Sequence, residues 1–323
     1  MALSARCVNR ALIHPILALV CTASWGLGVA TGEEFQLPES STDSVVGSLR
    51  ETYAHQVDTL LDIARRYDVG HDQIILANPG VNRWLPGRNT PITIPNSYIL
   101  PPGPREGIVL NLAELRLYYF PPKSSTVLTF PVSIGDMDWR TPLGTTRITS
   151  RERDPAWNPP KSIRAEHLAD GEVLPPYIPG GDPENPLGRF ALRLGITSYL
   201  IHGTDESRAF GIGMRVSHGC IRLYPEDIEV LFQRASVGTK VRIIDEPIKV
   251  GWLHNELYLE AHRPLEAEEQ PMHKEPEWED LLDRLLKTMK DSDIVYRRTA
   301  NITLLLGDGI PNVIGERQNI APQ

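Results

Sequence analysis

The 323-residue chain is predicted to be mainly β with some α, and long enough for about two domains. Three observations carry that fold class. Twenty-eight prolines cut the chain into short pieces, which suits strands and ordered turns better than long helices. Apolar residues alternate at Ile108, Leu110 and Leu112 and again at Leu115, Leu117 and Tyr119, the period of a strand. Helical periodicity is confined to a few short windows. The net charge of -8 lacks the basic footprint of a nucleic-acid binder, so no nucleic-acid partner is expected.

In chain order, residues 1–30 read as an export signal. Arg6 and Arg10 open it, an apolar stretch follows, and Gly28 and Ala30 suit cleavage after Ala30. An uncleaved N-terminal membrane anchor is the alternative. Residues 31–50 are polar and read as a flexible lead-in. A compact unit then spans 51–96. Val57, Leu60, Leu61 and Ala64 mark a helix face, with Asp58 as its N-cap. A second short helix starts near Asp72 and stops at Asn78-Pro79-Gly80, and residues 91–95 form a strand. After a proline-rich linker, residues 104–245 form the main, strand-rich domain. Strands are expected at 108–112, 115–119, 126–134, 145–149, 190–194, 199–202 and 241–244, with one helix at 226–234. Residues 154–188 hold eight prolines and read as a long functional loop. The extension 246–323 reads as a helical tail. Trp278, Leu281, Leu282, Leu285, Leu286 and Met289 make an amphipathic stripe, taken as core against the main domain.

The chemistry gathers at Ile201-His202-Gly203-Thr204 and Ser217-His218-Gly219-Cys220-Ile221-Arg222-Leu223. Of three cysteines, Cys7 and Cys21 lie in the signal, so Cys220 is the single thiol expected in the mature chain. A lone thiol among polar neighbours reads as a nucleophile. His202 ends an apolar strand eighteen residues before it and suits a general base. Gly203 and Gly219 allow close backbone approach. The N–H groups of Gly219 and Cys220 suit an oxyanion hole. Arg222 suits a substrate carboxylate or bracing of the loop. His218 reads equally well as a packing residue. A zinc site of His202, His218 and Cys220 lacks a fourth ligand, and Ser217 lacks a serine-hydrolase setting.

These two motifs resemble the signature of the L,D-transpeptidase (YkuD) family over about residues 105–244. The resemblance implies a β-sandwich catalytic domain, Cys220 as nucleophile and His202 as base. Ser217, His218, Gly219, Arg222 and Gly203 then surround the substrate and oxyanion. It implies that the thiol takes over a peptidoglycan tetrapeptide stem, releases D-alanine and passes the acyl group to an amine. No metal or cofactor is implied, and carbapenems are expected to acylate the same thiol. Residues 51–96 resemble the LysM domain, a βααβ module that binds glycan strands. The whole arrangement resembles periplasmic enzymes that attach the C-terminal lysine of Braun's lipoprotein to peptidoglycan. Formation of 3-3 cross-links stays open, as does a non-catalytic peptidoglycan-binding role.

Overall fold

The computed structural model describes residues 32–136, 139–263, 280, 282–284, 286–287 and 293–318. The export signal, the acidic stretch 265–277 and Trp278, Leu281, Leu285 and Met289 of the tail stripe lie outside the described residues. Among the described residues no helix is long and apolar enough to cross a membrane.

The first part of the chain holds β1 (Glu33–Gln36), β2 (Val45–Gly47), β3 (Arg50–Tyr53), α1 (Leu60–Arg66), α2 (His71–Ala77), β4 (Pro91–Ile94) and β5 (Ser97–Ile99). The lead-in is therefore structured, contrary to expectation. One strand from it, β1, pairs along its length with the edge strand 126–131 of the main domain, and β2 pairs with β5. Strands this short show no usable alternation, and their partners lie far along the chain. The β3–α1–α2–β4 unit closes by antiparallel pairing of β3 with β4 over a core of Leu60, Ile63, Ala64, Ile74, Ile92 and Ile94. Two details of the first helix differ from prediction. Its cap is Thr59, which exchanges bonds with Asp62 in a capping box. Asp58 is instead buried and held by Arg66 at 2.7 Å. Val57 precedes the helix and is exposed, so Ile63 takes its place in the core. Asn78 fastens α2 to β4, donating to Ile74 and Thr93 carbonyls and accepting from the Thr93 N–H.

The main domain holds β6 (Gly107–Asn111), β7 (Arg116–Phe120), β8 (Thr126–Pro131), β9 (Ile134–Gly135), β10 (Gly144–Arg153), α3 (Lys161–Ala169), β11 (Phe190–Leu194), β12 (Leu200–His202), β13 (Arg215–Ser217), β14 (Ile221–Arg222), α4 (Pro225–Arg234) and β15 (Lys240–Ile244). The expected sandwich is one nine-stranded sheet in the order β1-β8-β7-β6-β15-β10-β11-β12-β14. It curls at β10, whose first half pairs with β15 and second half with β11 across an irregularity between Ile148 and Ser150. Both halves feed one core, in which Ile108, Leu117 and Phe130 join Phe190, Leu192, Ile201 and Ile221. The helix α4, started by Pro225, closes this core with Ile228 and Leu231. The proline-rich segment is less irregular than its composition implies. It contains α3 and a bridge between Trp157 and Ile178.

The extension is not simply helical. It holds β16 (Ile248–Leu253), β17 (Glu256–Ala261), β18 (Ile294–Val295), α5 (Arg297–Leu306) and β19 (Asn312–Glu316), with a four-stranded sheet in the order β16-β17-β19-β18. Leu282, from the predicted stripe, packs in this sheet's own core with Ile248, Leu257, Leu259, Ala300 and Ile314, not against the main domain.

The βααβ unit docks on the main domain at the segment between His202 and Cys220. Arg65 of α1 reaches Glu206 at 2.6 Å and Glu226 at 2.7 Å. The His71 N–H donates to the Ile212 carbonyl. Gly213 has a φ of +89°, and a Cβ there would lie 2.4 Å from the Gly70 Cα, so neither backbone could approach with a side chain present. Deeper in the junction, Asp68 and Asp227 are buried together, accepting from the Glu33 and Gly32 N–H groups. Burial and the neighbouring Asp68 charge push the Asp227 carboxyl well above the usual range. A raised folded value means that the folded state binds the extra proton. Stability is therefore lost as pH rises from the unfolded value towards the folded one. Each tenfold rise in proton affinity corresponds to about 1.4 kcal/mol. Asp227→Asn is expected to remove this loss, raising stability at pH 8 relative to wild type and flattening its profile from pH 5 to 8. Denaturant melts at both pH values check it; an unchanged pH slope would refute the raised Asp227 carboxyl as its source.

Candidate active site

The strand ends β12 and β14 run parallel at the rim of the curled sheet, with Ile201 opposite Ile221 and His202 opposite Arg222. Ile201 and Ile221 are fully buried in the core. Alternation then turns His202 and Arg222 to the other face, and Cys220 stands in the turn just before β14, where the Arg222 charge acts on both the thiol and the imidazole. Sheet register thus brings His202 and Arg222 together, and the turn supplies Cys220.

The turn carrying Cys220 is pinned from several sides. The Ser217 hydroxyl donates to the Cys220 carbonyl at 2.6 Å and accepts from the Gly219 N–H at 3.1 Å. Gly219 sits at φ +98°, and a Cβ there would meet the Tyr199 ring at 2.8 Å. Thr141 donates to the Gly219 carbonyl at 2.9 Å. Arg222 exchanges both backbone hydrogen bonds with Ser133. One expectation is corrected here: the Gly219 N–H is already committed to Ser217. Of the two proposed oxyanion donors, only the Cys220 N–H lacks a protein partner among the described residues.

His202 is 3% exposed, and its Nδ1 lies 2.6 Å from the Gly203 carbonyl oxygen. A carbonyl only accepts, so Nδ1 carries the hydrogen and Nε2 keeps its lone pair. Burial and the Arg222 charge bring the imidazole down to about 3, against the pull of the Gly203 and Leu187 backbone. Gly203 is needed for close packing, since a Cβ would lie 2.8 Å from Ile228 of α4. Cys220 is half-buried, and its Sγ points to the Ser198 carbonyl at 3.7 Å rather than to His202. Burial pushes the thiol up, while the Leu200 backbone and Arg222 pull the other way. The two shifts agree: the pair rests as neutral thiol and neutral imidazole, not as a pre-formed ion pair. Alkylation of the free protein by iodoacetamide is then expected to climb about tenfold per pH unit, past the ordinary thiol range near roughly 8.5. A flat, fast plateau below pH 7 would show a resting thiolate–imidazolium pair instead.

The remaining predicted residues fall nearby in different roles. His218 pairs through Nε2 with Glu166 of α3 at 2.9 Å and packs edge-on against Trp139 at 5.5 Å. The proline-rich segment is therefore tied to the cysteine turn. The Arg222 Nε is buried without a hydrogen-bond partner among the described residues. Glu166, Trp139 and Thr141 were missed by sequence reasoning. Only the turn Thr141-Pro142-Leu143-Gly144 was visible, and nothing in it indicated contact with Gly219.

Residues 105–243 match the model of the L,D-transpeptidase catalytic domain, YkuD. The "Probable L,D-transpeptidase YcfS" of Escherichia coli K12 is 40% identical over 267 residues, 81% of either chain. The "Probable L,D-transpeptidase YbiS" of the same strain is 45% identical over 208 residues, 64% of this chain and 67% of its own. The "Probable L,D-transpeptidase ErfK/SrfK" of that strain is 43% identical over 213 residues, 65% of this chain and 67% of its own. The similarity to YcfS is longer than the catalytic domain itself. This chain belongs to the L,D-transpeptidase (YkuD) family, the cysteine-dependent transferases of peptidoglycan.

Proposed function

We propose that this protein acts in the periplasm and joins the C-terminal lysine of a Braun-type lipoprotein to peptidoglycan stems through a Cys220 thioester. The observation that supports the catalytic part is the placement of Arg222, in register with His202 on the β12–β14 rim and with its charge acting on both His202 and Cys220. The Cys220 thiol passes its proton to His202 Nε2 as Sγ attacks the carbonyl of the third stem residue. A carbon–sulfur bond forms, the bond to D-alanine breaks, and the imidazolium proton leaves with the D-alanine amine. The Cys220 N–H and Arg222 face the developing oxyanion. The acceptor amine then attacks the thioester, an amide forms, and the sulfur recovers a proton through His202. The bond exchanged supplies the driving force, so no metal or cofactor takes part.

The acceptor reading is supported by the arrangement of the whole chain: export signal, βααβ module, catalytic domain and extension. The module is taken to hold glycan strands. Val57 before α1 and Trp84 and Leu85 after α2 are exposed, and the Leu60 N–H to Arg83 carbonyl bond brings those two loops together. Exposed aromatic and apolar surface of this kind suits sugar faces. The test offers purified enzyme a tetrapeptide muropeptide with a lysine-ended lipoprotein peptide, a second stem, or both. Conjugation to the lysine peptide is expected to dominate. Product with the second stem alone would replace lipoprotein attachment by 3-3 cross-linking.

A further inference from the structure

We propose that Arg65 of the βααβ unit is a positioning residue for Cys220, so that the docked unit completes the cysteine turn of the catalytic domain. The role rests on the transpeptidase chemistry of that thiol. The unit grips the chain on both sides of the turn. Before it comes the 3-10 segment Glu206–Gly211, and after it the start of α4. Arg65 Nε and Nη2 donate to the two carboxylate oxygens of Glu226 at 2.7 and 2.8 Å, and Nη1 donates to Glu206 at 2.6 Å. One planar guanidinium thus ties the two flanks to each other as well as to α1. It also lies over the Tyr224 ring, 5.7 Å from its centre, and the Tyr224 hydroxyl donates to the Val69 carbonyl at 3.3 Å. Backbone bonds add to the grip just past the 3-10 segment. The His71 N–H donates to the Ile212 carbonyl at 2.8 Å, and the Asp72 N–H donates to the Gly213 carbonyl at 3.4 Å.

From there to the sulfur the path is short and buried. Ser133 is 1% exposed, and its hydroxyl donates to the Gly211 carbonyl at 2.6 Å. The same residue exchanges both backbone hydrogen bonds with Arg222, two residues past Cys220. On the other side, the Ile134 N–H donates to the Met214 carbonyl at 3.2 Å. From there β13 runs to Ser217, whose hydroxyl holds the Cys220 carbonyl. A shift of residues 206–213 is therefore passed to both ends of the cysteine turn. It also reaches Arg222, whose charge acts on the thiol and the imidazole. Misplacing a reacting group by about 1 Å can cost about a hundredfold in rate. A clamp too weak to decide stability can thus still decide turnover.

The test measures acylation of the full chain by a carbapenem well below its melting temperature, resolving the maximal rate from the half-saturating concentration. A carbapenem carries no glycan, so the rate reads the cysteine turn and not any hold of the βααβ unit on sugar. Arg65→Met is expected to lower the maximal rate about tenfold to a hundredfold and to leave the half-saturating concentration within about twofold. Arg65→Lys, which keeps a cation beside Glu226, should recover part of the rate. Ser133→Ala should lower the rate in the same way. Combined with either Arg65 variant, it should fall well short of the product of the single losses, as residues on one path do. Arg66→Met removes the Asp58 ion pair inside the unit and should leave the rate unchanged, which separates lost stability from lost position. A wild-type rate in Arg65→Met, single losses that multiply in full, or an equal loss in Arg66→Met overturns the role. Should Arg65→Met fail to fold, Arg65→Lys and Ser133→Ala give the same readings. No adduct on wild type sinks the catalytic reading itself, whereas a normal wild-type adduct that forms as fast in every Arg65 variant sinks the positioning role alone.

Discussion

Cys220→Ala is expected to abolish covalent capture of a carbapenem and to cut D-alanine release by roughly four to six orders of magnitude, the scale seen when a nucleophile is removed. His202→Ala is expected to be milder, a loss of about 10² to 10⁴, because the thiol can still ionise in solvent-borne base. The two effects differ for a structural reason. The resting thiol is turned to Ser198, and the imidazole is neutral and buried. On the proposed mechanism proton transfer waits for substrate to reorient the thiol, and loss of His202 slows that step without removing the attacking atom. Intact-mass measurement after carbapenem exposure reads the first substitution, and a stopped D-alanine assay reads the second. An adduct that persists in Cys220→Ala would move the nucleophile elsewhere. A His202→Ala enzyme within threefold of wild type would remove the histidine from the proton path.

How much of this was readable beforehand depended on distance along the chain. Cys220 and His202 stood out because their motifs are contiguous and chemically unusual for an exported chain. The strands of the main domain showed themselves where apolar residues alternate into the core, as at Ile108, Leu110, Leu117 and Phe190. What stayed hidden were pairings made with partners far away. The strand β1 looks like polar lead-in until Thr126–Pro131 is laid beside it. The sequence Ile248–Leu253 alternates poorly, and its identity as a strand comes from pairing with β17. The commitment of the Gly219 N–H to Ser217 was equally invisible, since a three-residue turn has several ways to satisfy itself. Glu166 lay in a stretch dominated by prolines, and its meeting with His218 spans 52 residues.

Lys249→Met is expected to cost about 3–5 kcal/mol, the usual result of leaving buried carboxylates without their cation. Lys249 begins the extension's sheet, and its ammonium is buried between two domains. It reaches Glu114 of the main domain at 2.5 Å and Glu260 of β17 at 2.9 Å, and also donates to the Ile99 carbonyl of β5. Each carboxylate is further held. Glu114 accepts from Tyr118 and Asn111, and Glu260 accepts from the Ile99 N–H and lies 2.6 Å from His262. Burial works against the Glu260 charge, yet Lys249 and His262 together bring its carboxyl down to about 2. Removing the lysine leaves Glu114 and Glu260 facing each other in a dry site, and the extension loses its main polar anchor to the catalytic domain. The cost should appear as a drop of roughly 6–20 °C in the first thermal transition, at about 2–4 °C per kcal/mol for a domain of this size. It should also appear as early proteolytic release of the extension. A triple variant, Lys249→Met with Glu114→Gln and Glu260→Gln, is expected to recover much of the loss, because the penalty lies in the stranded charges rather than in the missing attraction. A single variant that melts within a degree of wild type would show that the carboxylates find another cation or a proton. A triple variant no better than the single would show that the anchor depends on the ion pair itself.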